Sequence, residues 1–208
     1  MISESSPWKT QLLADAGIVA RWAARPGVSS RRSLTVERRI MASAYAMRKL
    51  DEAMLISSEL LAKQVKVRTY PPIRPGFTAF RTLRFDDYFD MYHGVDERLS
   101  RRAILNVIIH SLVFVEGLSG KDETYESFLV TSDRGAVKGL YQVQLADFVA
   151  VMREVGSDYP SASIRVFDRV TSKWIVWAGH GEPPPQIVNR INRVLAQYGS
   201  QPLGQEDR

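Results

Sequence analysis

Cysteine is absent from this chain of 208 residues, and histidine occurs only three times. Without cysteine there is no disulfide framework, no thiol nucleophile and no metal site built on thiolates. The absence is compatible with a reducing compartment, and we therefore expect a cytoplasmic protein. A conventional zinc site would have to rely on carboxylates together with one of the histidines, which are His93, His110 and His180.

Long apolar runs are also missing. The apolar stretch over residues 103–115 is interrupted by Asn106, His110 and Ser111, and it is too short to cross a bilayer. The first ten residues, MISESSPWKT, contain no basic segment ahead of an apolar one, so they do not resemble a secretory signal. We therefore expect no membrane partner.

Several motifs that define enzyme classes do not occur. The sequence has no glycine-rich phosphate loop, no GxSxG nucleophile elbow and no HExxH metal motif. No spacing places a base beside a Ser or Thr hydroxyl, so a nucleophilic triad is not indicated. Because these motifs are missing, we expect no cofactor, and we favour a binding or interaction protein over an enzyme.

The charge is divided unevenly along the chain. Residues 1–85 contain 15 Lys and Arg against 6 Asp and Glu, whereas residues 86–208 contain 13 against 17. The overall charge of +5 is therefore the sum of +9 in the first part and −4 in the second. A basic half can face nucleic acid, an acidic protein or the acidic half of its own chain.

The composition, 45% hydrophobic and 25% charged, is that of a globular protein, and the length suits one domain over residues 1–208. Apolar periodicity predicts helices over residues 7–24, 36–55, 58–64, 145–155 and 186–198, the second capped by Thr35. Turn signals and β-rich runs predict a short strand at residues 65–70, a hairpin at residues 127–145 and another at residues 163–179. Residues 77–99 are expected to form an irregular loop packed by Phe80, Phe85, Tyr88, Phe89 and Tyr92.

Helices come first in this order, and strands mixed with helices follow. That order predicts an α+β fold, in which N-terminal helices precede an antiparallel sheet of about three to five strands covered by helices. We expect a basic, mainly helical half at residues 1–70, an α+β half at residues 100–199 and a disordered tail at residues 200–208. Trp174 and Trp177 lie three apart in a strand and should face opposite sides.

The segment Ser100 to Glu116 is central to any functional interpretation. Ser100 is expected to cap a helix that turns into a strand near Ser111. If the first part is helical, Arg102, Asn106 and His110 are four residues apart and form one polar stripe on an apolar helix. The stripe is either a site or a set of buried polar groups that bond to each other and to the backbone.

Asn106 and His110, in the sequence LNVIIH, are similar to the Asn-x3-His half of the HEPN ribonuclease signature, where an Arg precedes the polar residue. The similarity covers about ten residues, and the position expected to hold Arg is Leu105, with Arg102 one turn earlier. The resemblance implies a metal-independent ribonuclease in which His110 is the general acid or base and Arg102 stabilises the phosphorane. The β-rich part of the chain departs from the all-helical HEPN bundle.

Two further sets of residues are candidates for binding. Carboxylates and one histidine, with Asp86, Asp90 and His93 as the main candidates, could hold Mg²⁺ or Mn²⁺, although their spacing matches no EF-hand. Cations spaced along the second helix and the linker before it can track phosphates without reading sequence; these are Arg31, Arg32, Arg38, Arg39, Arg48 and Lys49.

These patterns lead to three functional hypotheses. The first is a binding protein whose basic helical half contacts nucleic acid or an acidic partner. The second is the ribonuclease centred on His110. The third is a structural homo-oligomer that associates along the helix at residues 36–55.

Overall fold

The computed structural model describes residues 4–203, except for the side chains of Ala79, Arg81 and Leu83. Within that range the helices are α1 (Ser6–Ala23), α2 (Ser30–Glu52), α3 (Arg101–Ile109), α4 (Leu145–Ser157) and α5 (Pro185–Ala196), with a 3₁₀ segment at Ala79–Asp87. The strands are β1 (Gln64–Tyr70), β2 (Val95–Ser100), β3 (Ser111–Ser119), β4 (Thr124–Ser132), β5 (Leu140–Gln144), β6 (Ala162–Asp168) and β7 (Lys173–Gly179).

Five of these strands form one antiparallel sheet in the order β2-β1-β5-β4-β3, and β6 pairs with β7 in a separate hairpin. The predicted α+β fold is therefore confirmed, with two N-terminal helices ahead of the sheet. The predicted hairpins are also confirmed as β4–β5 and β6–β7. No helix within residues 4–203 is both long enough and apolar enough to cross a membrane.

Side chains alternate between the two faces of the sheet along each strand, and the helices cover the face that carries the larger apolar cluster. Phe128 and Val130 of β4 and Val143 of β5 are buried with residues of α1, α2, α3 and α4 in the main core. On α2 the predicted apolar stripe lies in this core; its buried members are Val36, Ile40, Ala44, Met47 and Leu50. That stripe is thus covered by the chain itself and is not a free surface for association with another copy.

The opposite face of the sheet carries a smaller apolar cluster. Tyr88 and Phe89 are buried there with Leu140 of β5. The prediction that all five aromatics of residues 77–99 pack inward is wrong for Phe80, which is 99% exposed, and for Tyr92, which is 90% exposed. The same segment was expected to be irregular throughout, but it ends in β2, which pairs with β1 over Gln64–Tyr70.

Helix α2 begins six residues earlier than the sequence pattern predicts. Its N-cap is Ser29, and Thr35 lies inside the helix, where its hydroxyl donates to the carbonyl of Arg31. The cause is tertiary: the Arg32 side chain is buried and donates to the backbone carbonyls of Arg25 and Glu123. A segment that looks like a mobile basic linker is thereby held against the β3–β4 hairpin.

The short helix predicted at residues 58–64 does not form, and the segment is a series of turns. Its backbone is occupied by other parts of the fold. The carbonyls of Leu61 and Lys63 accept hydrogen bonds from the first amides of α3, and the Ser58 amide donates to Ala178. The segment keeps one i to i−4 bond, from the Lys63 amide to the Glu59 carbonyl, while long-range partners take up other backbone groups that a continuous helix would use.

The remaining sequence predictions agree closely with the structure. α1, α4 and α5 differ from their predicted bounds by at most two residues at either end. Ser100 caps α3 by accepting a bond from the Ala103 amide, and α3 passes directly into β3. Of the predicted tail, Leu203 exchanges two hydrogen bonds with the Asn192 side chain, and residues 204–208 lie outside the described range.

Candidate functional site

His110 lies at the junction between α3 and β3. It is the C-cap residue of α3, and its backbone amide donates to the Asn106 carbonyl at 3.1 Å. The next residue, Ser111, begins β3 and pairs with Ser132 at the end of β4. This junction leaves the His110 side chain exposed, and its ring has no hydrogen-bond partner within residues 4–203.

An open cleft of about 540 Å³ surrounds this histidine. We call it the His110 cleft. Three parts of the chain form its walls: the C-terminal half of α2, the last turn of α3 and the turn after β4. The lining residues are Arg48, Asn106, Val107, His110, Ser132, Asp133 and Arg134.

Arg48 is fixed in the cleft by two contacts of its guanidinium. One terminal nitrogen donates to the side-chain oxygen of Asn106, and Nε donates to Oε1 of Glu52 at 2.8 Å. The pair with Glu52 lies one helical turn along α2, where such pairs are weak because both groups are solvated. Arg48 is therefore held at the rim of the cleft while part of its donor set stays accessible.

Arg134 enters the cleft from the turn that follows β4. This turn is compact because the Gly135 amide donates to the Ser132 hydroxyl at 3.0 Å and Thr131 donates to the Gly139 carbonyl at 2.8 Å. Within residues 4–203 neither Arg134 nor its neighbour Asp133 forms an ion pair, and both are exposed. Arg134 therefore lines the cleft without an ion-pair partner, next to the exposed carboxylate of Asp133.

The structure divides the polar stripe that the sequence predicts on α3. Asn106 and His110 both line the cleft, but Arg102 forms a two-bond ion pair with Asp51, at 2.8 and 3.0 Å. Hydrogen bonding to Asp51 raises the pKa of Arg102. The arginine beside Asn106 is instead Arg48, which comes from α2.

The predicted phosphate-binding cations of α2 fall into two groups. Arg32 is 1% exposed and pairs with Glu116 at 3.6 Å, and Arg39 pairs with the buried Asp15. Arg32 therefore cannot reach a ligand from its present position, and the partly exposed Arg39 is neutralised by its pair with Asp15. The others point outward: Arg31 and Arg38 are exposed, and Arg48 and Lys49 are half-exposed.

Helical geometry places this second group on one side of α2. At about 100° per residue, positions 31, 38, 45, 48 and 49 fall within an arc of about 100°. Tyr45, which is exposed, lies between the cations, and Lys49 approaches its ring centroid at 5.6 Å. We call this surface the α2 outer face; it leads along the helix to the His110 cleft, and its residues are Arg31, Arg38, Tyr45, Arg48, Lys49 and Glu52.

The candidate metal residues do not form a ligand cluster. Asp90 accepts bonds from the backbone amides of Tyr92 and His93, and its carboxylate is 2.8 Å from Nδ1 of His93. Hydrogen bonding to His93 lowers the pKa of Asp90. Over the part of the chain that the structure describes, no group of three or more His, Asp or Glu side chains is arranged to hold a metal ion, and Asp86 belongs to none.

Comparisons with protein-family models, with characterised proteins and with solved structures found no match to this chain.

Sequence reasoning identified Asn106 and His110 but did not connect them with Arg48, Ser132 and Arg134. Arg48 was a candidate only as one of several cations on a helix. The segment SDRG between β4 and β5 predicts only a turn, with no functional role. No spacing in the sequence could join these segments, because the contacts that bring them together span 58 residues or depend on the β3–β4 register.

Proposed function

We propose that this protein binds nucleic acid, and that the phosphates are contacted by the α2 outer face and by the His110 cleft. The observation that supports this most directly is the alignment of Arg31, Arg38 and Arg48 along one side of α2, together with Arg134, which lines the same cleft as Arg48. Cations in a row bind a phosphate backbone without contacting the bases.

The electrostatic balance of this surface supports an anionic ligand. The α2 outer face has four cations against the single carboxylate of Glu52, and Glu52 is shared by Arg48 and Lys49. Arg31 and Arg38 have no carboxylate partner within residues 4–203. A surface of this kind releases counterions from a polyanion when it binds, which favours nucleic acid over an isolated phosphate.

The dimensions are also suitable. Arg31 and Arg48 are 17 residues apart on α2, which corresponds to about 25 Å along the helix axis. That distance equals the axial rise of about seven base pairs of duplex, at about 3.4 Å each. Arg134 adds a contact at the end of this row, so the surface can engage several consecutive phosphates.

Fluorescence anisotropy with a labelled duplex tests the proposal. Between about 50 and 200 mM salt, the logarithm of the affinity should fall with the logarithm of salt with a slope of about −3 to −4, because about four phosphates are neutralised. Arg38→Gln and Arg134→Gln should each reduce that slope by about 0.9. Arg153→Gln is the matched control, since it removes an exposed cation from α4, outside the cleft.

Absence of binding at about 50 mM salt would overturn the proposal, as would an equal effect of the control. Polyglutamate provides a further comparison. If labelled polyglutamate binds the protein while nucleic acid does not, the surface recognises an acidic protein instead.

A ribonuclease activity at the same cleft is a second candidate. The specific observation in its favour is that the unbonded ring of His110 shares the cleft with Arg48 and Arg134. His110 would accept the proton of a ribose 2′-hydroxyl as that oxygen attacks the adjacent phosphorus, and the bond to the 5′-oxygen breaks. The leaving oxygen takes a proton from water, and the two arginines stabilise the charge of the phosphorane.

His110→Ala distinguishes this activity from binding alone. The variant should bind RNA with nearly unchanged affinity and lose its cleavage by roughly 100-fold or more, because a general base contributes about that factor. If purified wild-type protein leaves labelled RNA intact, or if His110→Ala cleaves at the wild-type rate, the catalytic hypothesis is wrong and the binding proposal is unaffected.

A further inference from the structure

The β6–β7 hairpin and α5 form a small unit with its own apolar cluster. Ile175 of β7 and Ile191 and Val194 of α5 are buried together there. Strand pairing places Ile164 opposite Trp177 and Val166 opposite Ile175, so these four side chains share the face that α5 and the main body cover. Trp177 is 3% exposed and its indole nitrogen donates to Glu59 at 3.3 Å.

The other face of this hairpin is open and aromatic. The register places Arg165 opposite Val176 and Phe167 opposite Trp174, so these side chains lie on the face away from α5. Trp174 is 52% exposed, which confirms that the two strand tryptophans face opposite sides. We call this surface the Trp174 platform; its residues are Arg165, Phe167, Trp174 and Val176.

The platform combines two aromatic rings with a cation that lies over one of them. The Arg165 guanidinium carbon lies 4.2 Å from the Trp174 ring centroid, and the rings of Phe167 and Trp174 are 5.1 Å apart. At the end of the hairpin, Arg169 lies 4.1 Å from the ring centroid of Tyr198. The Phe167 and Trp174 rings are tilted by 60° to each other, the Arg165 guanidinium lies over the Trp174 ring, and about half of Trp174 remains exposed to a ligand.

The charge around the platform is opposite to that of the half of the chain to which it belongs. Residues 160–203 contain five cations and two carboxylates, although residues 86–208 as a whole have a charge of −4. Within residues 4–203 none of the five forms an ion pair with a carboxylate. One of the two carboxylates, Asp168, is engaged in its own turn by Thr171 and by Gln197 of the α5 C-terminus.

We propose that the Trp174 platform binds unpaired bases of single-stranded nucleic acid, which stack on the exposed part of the Trp174 ring and on the Arg165 guanidinium that lies over it. The inference goes beyond the His110 cleft, because the two surfaces share no residue and each can bind whether or not the other does. The excess of cations around the platform favours a polyanionic ligand. The exposed Trp174 ring favours a polyanion whose bases are free to contact it.

Single strands fit this surface better than duplex or acidic peptide. In a duplex the faces of the bases are stacked on one another, so Trp174 has no free base to contact. An acidic peptide would satisfy the cations and leave the ring unused. Base stacking on an exposed aromatic side chain is tolerant of sequence and is a large part of the affinity of single-strand binding proteins.

Anisotropy with labelled oligouridylate of about twelve nucleotides, oligothymidylate and a duplex tests the proposal. Trp174→Ala should weaken binding of single strands roughly 5- to 100-fold while duplex affinity changes by less than about twofold. The salt slope should be unchanged, since no charge is removed. Trp174→Phe should restore most of the affinity, because a stacking ring is retained. Trp8→Ala, which removes the exposed tryptophan of α1, is the matched control.

The outcomes separate the two proposals. Equal affinity of Trp174→Ala and wild type for single strands overturns the platform, whatever the result at the cleft. Equal losses for single strands and duplex overturn it as well. A loss confined to single strands supports it, even if Arg38→Gln and Arg134→Gln have no effect. Comparable effects on the RNA and DNA strands indicate stacking alone, and a larger effect on RNA adds a contact to the ribose hydroxyl.

Discussion

Arg48 on α2 donates a hydrogen bond to the side-chain oxygen of Asn106 on α3, 58 residues further along the chain. This contact joins the basic half of the sequence to the segment that contains His110. It also replaces the pairing that the α3 pattern predicts, since Arg102 bonds to Asp51 instead. The cleft therefore depends on how two helices pack and not on one helix alone.

The Arg48–Asn106 bond predicts that removing the guanidinium and removing the amide that orients it affect nucleic-acid binding in different ways. Asn106→Ala should weaken nucleic-acid binding about twofold to threefold with the salt slope unchanged, because the amide orients Arg48 and has no charge. Arg48→Gln should reduce the slope by about 0.9, as expected for the loss of one phosphate contact. Anisotropy titrations at several salt concentrations measure both quantities. An Asn106→Ala slope that falls as far as that of Arg48→Gln would contradict this division.

Arg32 and Arg38 are equivalent in the sequence pattern but should differ sharply in their effect on folding. Arg32→Met removes a buried guanidinium that donates to the backbone carbonyls of Arg25 and Glu123, and it takes away the ion pair of Glu116, which keeps only the hydrogen bond from the Ser33 hydroxyl. We expect the free energy of unfolding to fall by about 3 kcal/mol or more. Arg38→Met, at an exposed position of the same helix, should change it by less than about 0.5 kcal/mol. Urea denaturation of both proteins measures the difference, and equal values would show that Arg32 is not structural.

The Arg101–Glu154 pair predicts a stability that depends on pH. Arg101 donates two bonds of 2.8 Å to Glu154, and this hydrogen bonding holds the pKa of Glu154 at about 2. Because this pKa lies below the unfolded value of about 4.3, the contribution is complete above that value and is lost as pH falls toward 2. Since the Glu154 side chain is 41% exposed, screening limits the contribution to about 1 kcal/mol.

Glu154→Gln is the comparison for that effect. Wild type should exceed the variant in free energy of unfolding by about 1 kcal/mol at neutral pH, and the two should converge near pH 2. Chemical denaturation across this range measures the difference. A gap that stays constant from neutral to acidic pH would show that the ion pair does not contribute as described.

Ion pairs within the fold partly explain the uneven charge of the chain. Several cations of the basic half pair with carboxylates of the acidic half, as Arg32 does with Glu116 and Lys63 with Glu154. Others, such as Arg39, are neutralised within the basic half itself. The cations of α2 that remain outward-facing are therefore fewer than the sequence count suggests, and the binding proposal rests on them.

Much of the fold follows from local chemistry. The apolar repeats of α1, α4 and α5, the Ser100 cap and the turn between β4 and β5 are all specified by neighbouring residues, and their bounds are predicted to within a few positions. The alternation along β7 is equally local, so the opposite orientations of Trp174 and Trp177 can be derived from their spacing alone.

Local sequence patterns specify the α+β class, most of the helices and strands, and the two residues of the α3 stripe that line the cleft, Asn106 and His110. Tertiary structure decided the rest. Burial of Arg32 extends α2 toward its N-terminus. Long-range contacts leave residues 58–64 as turns in place of the expected helix, and β2 pairs with β1. Tertiary structure also brings Arg48 and Arg134 to His110. Each of these outcomes depends on hydrogen bonds or burial between residues far apart in the chain, which short-range periodicity does not encode.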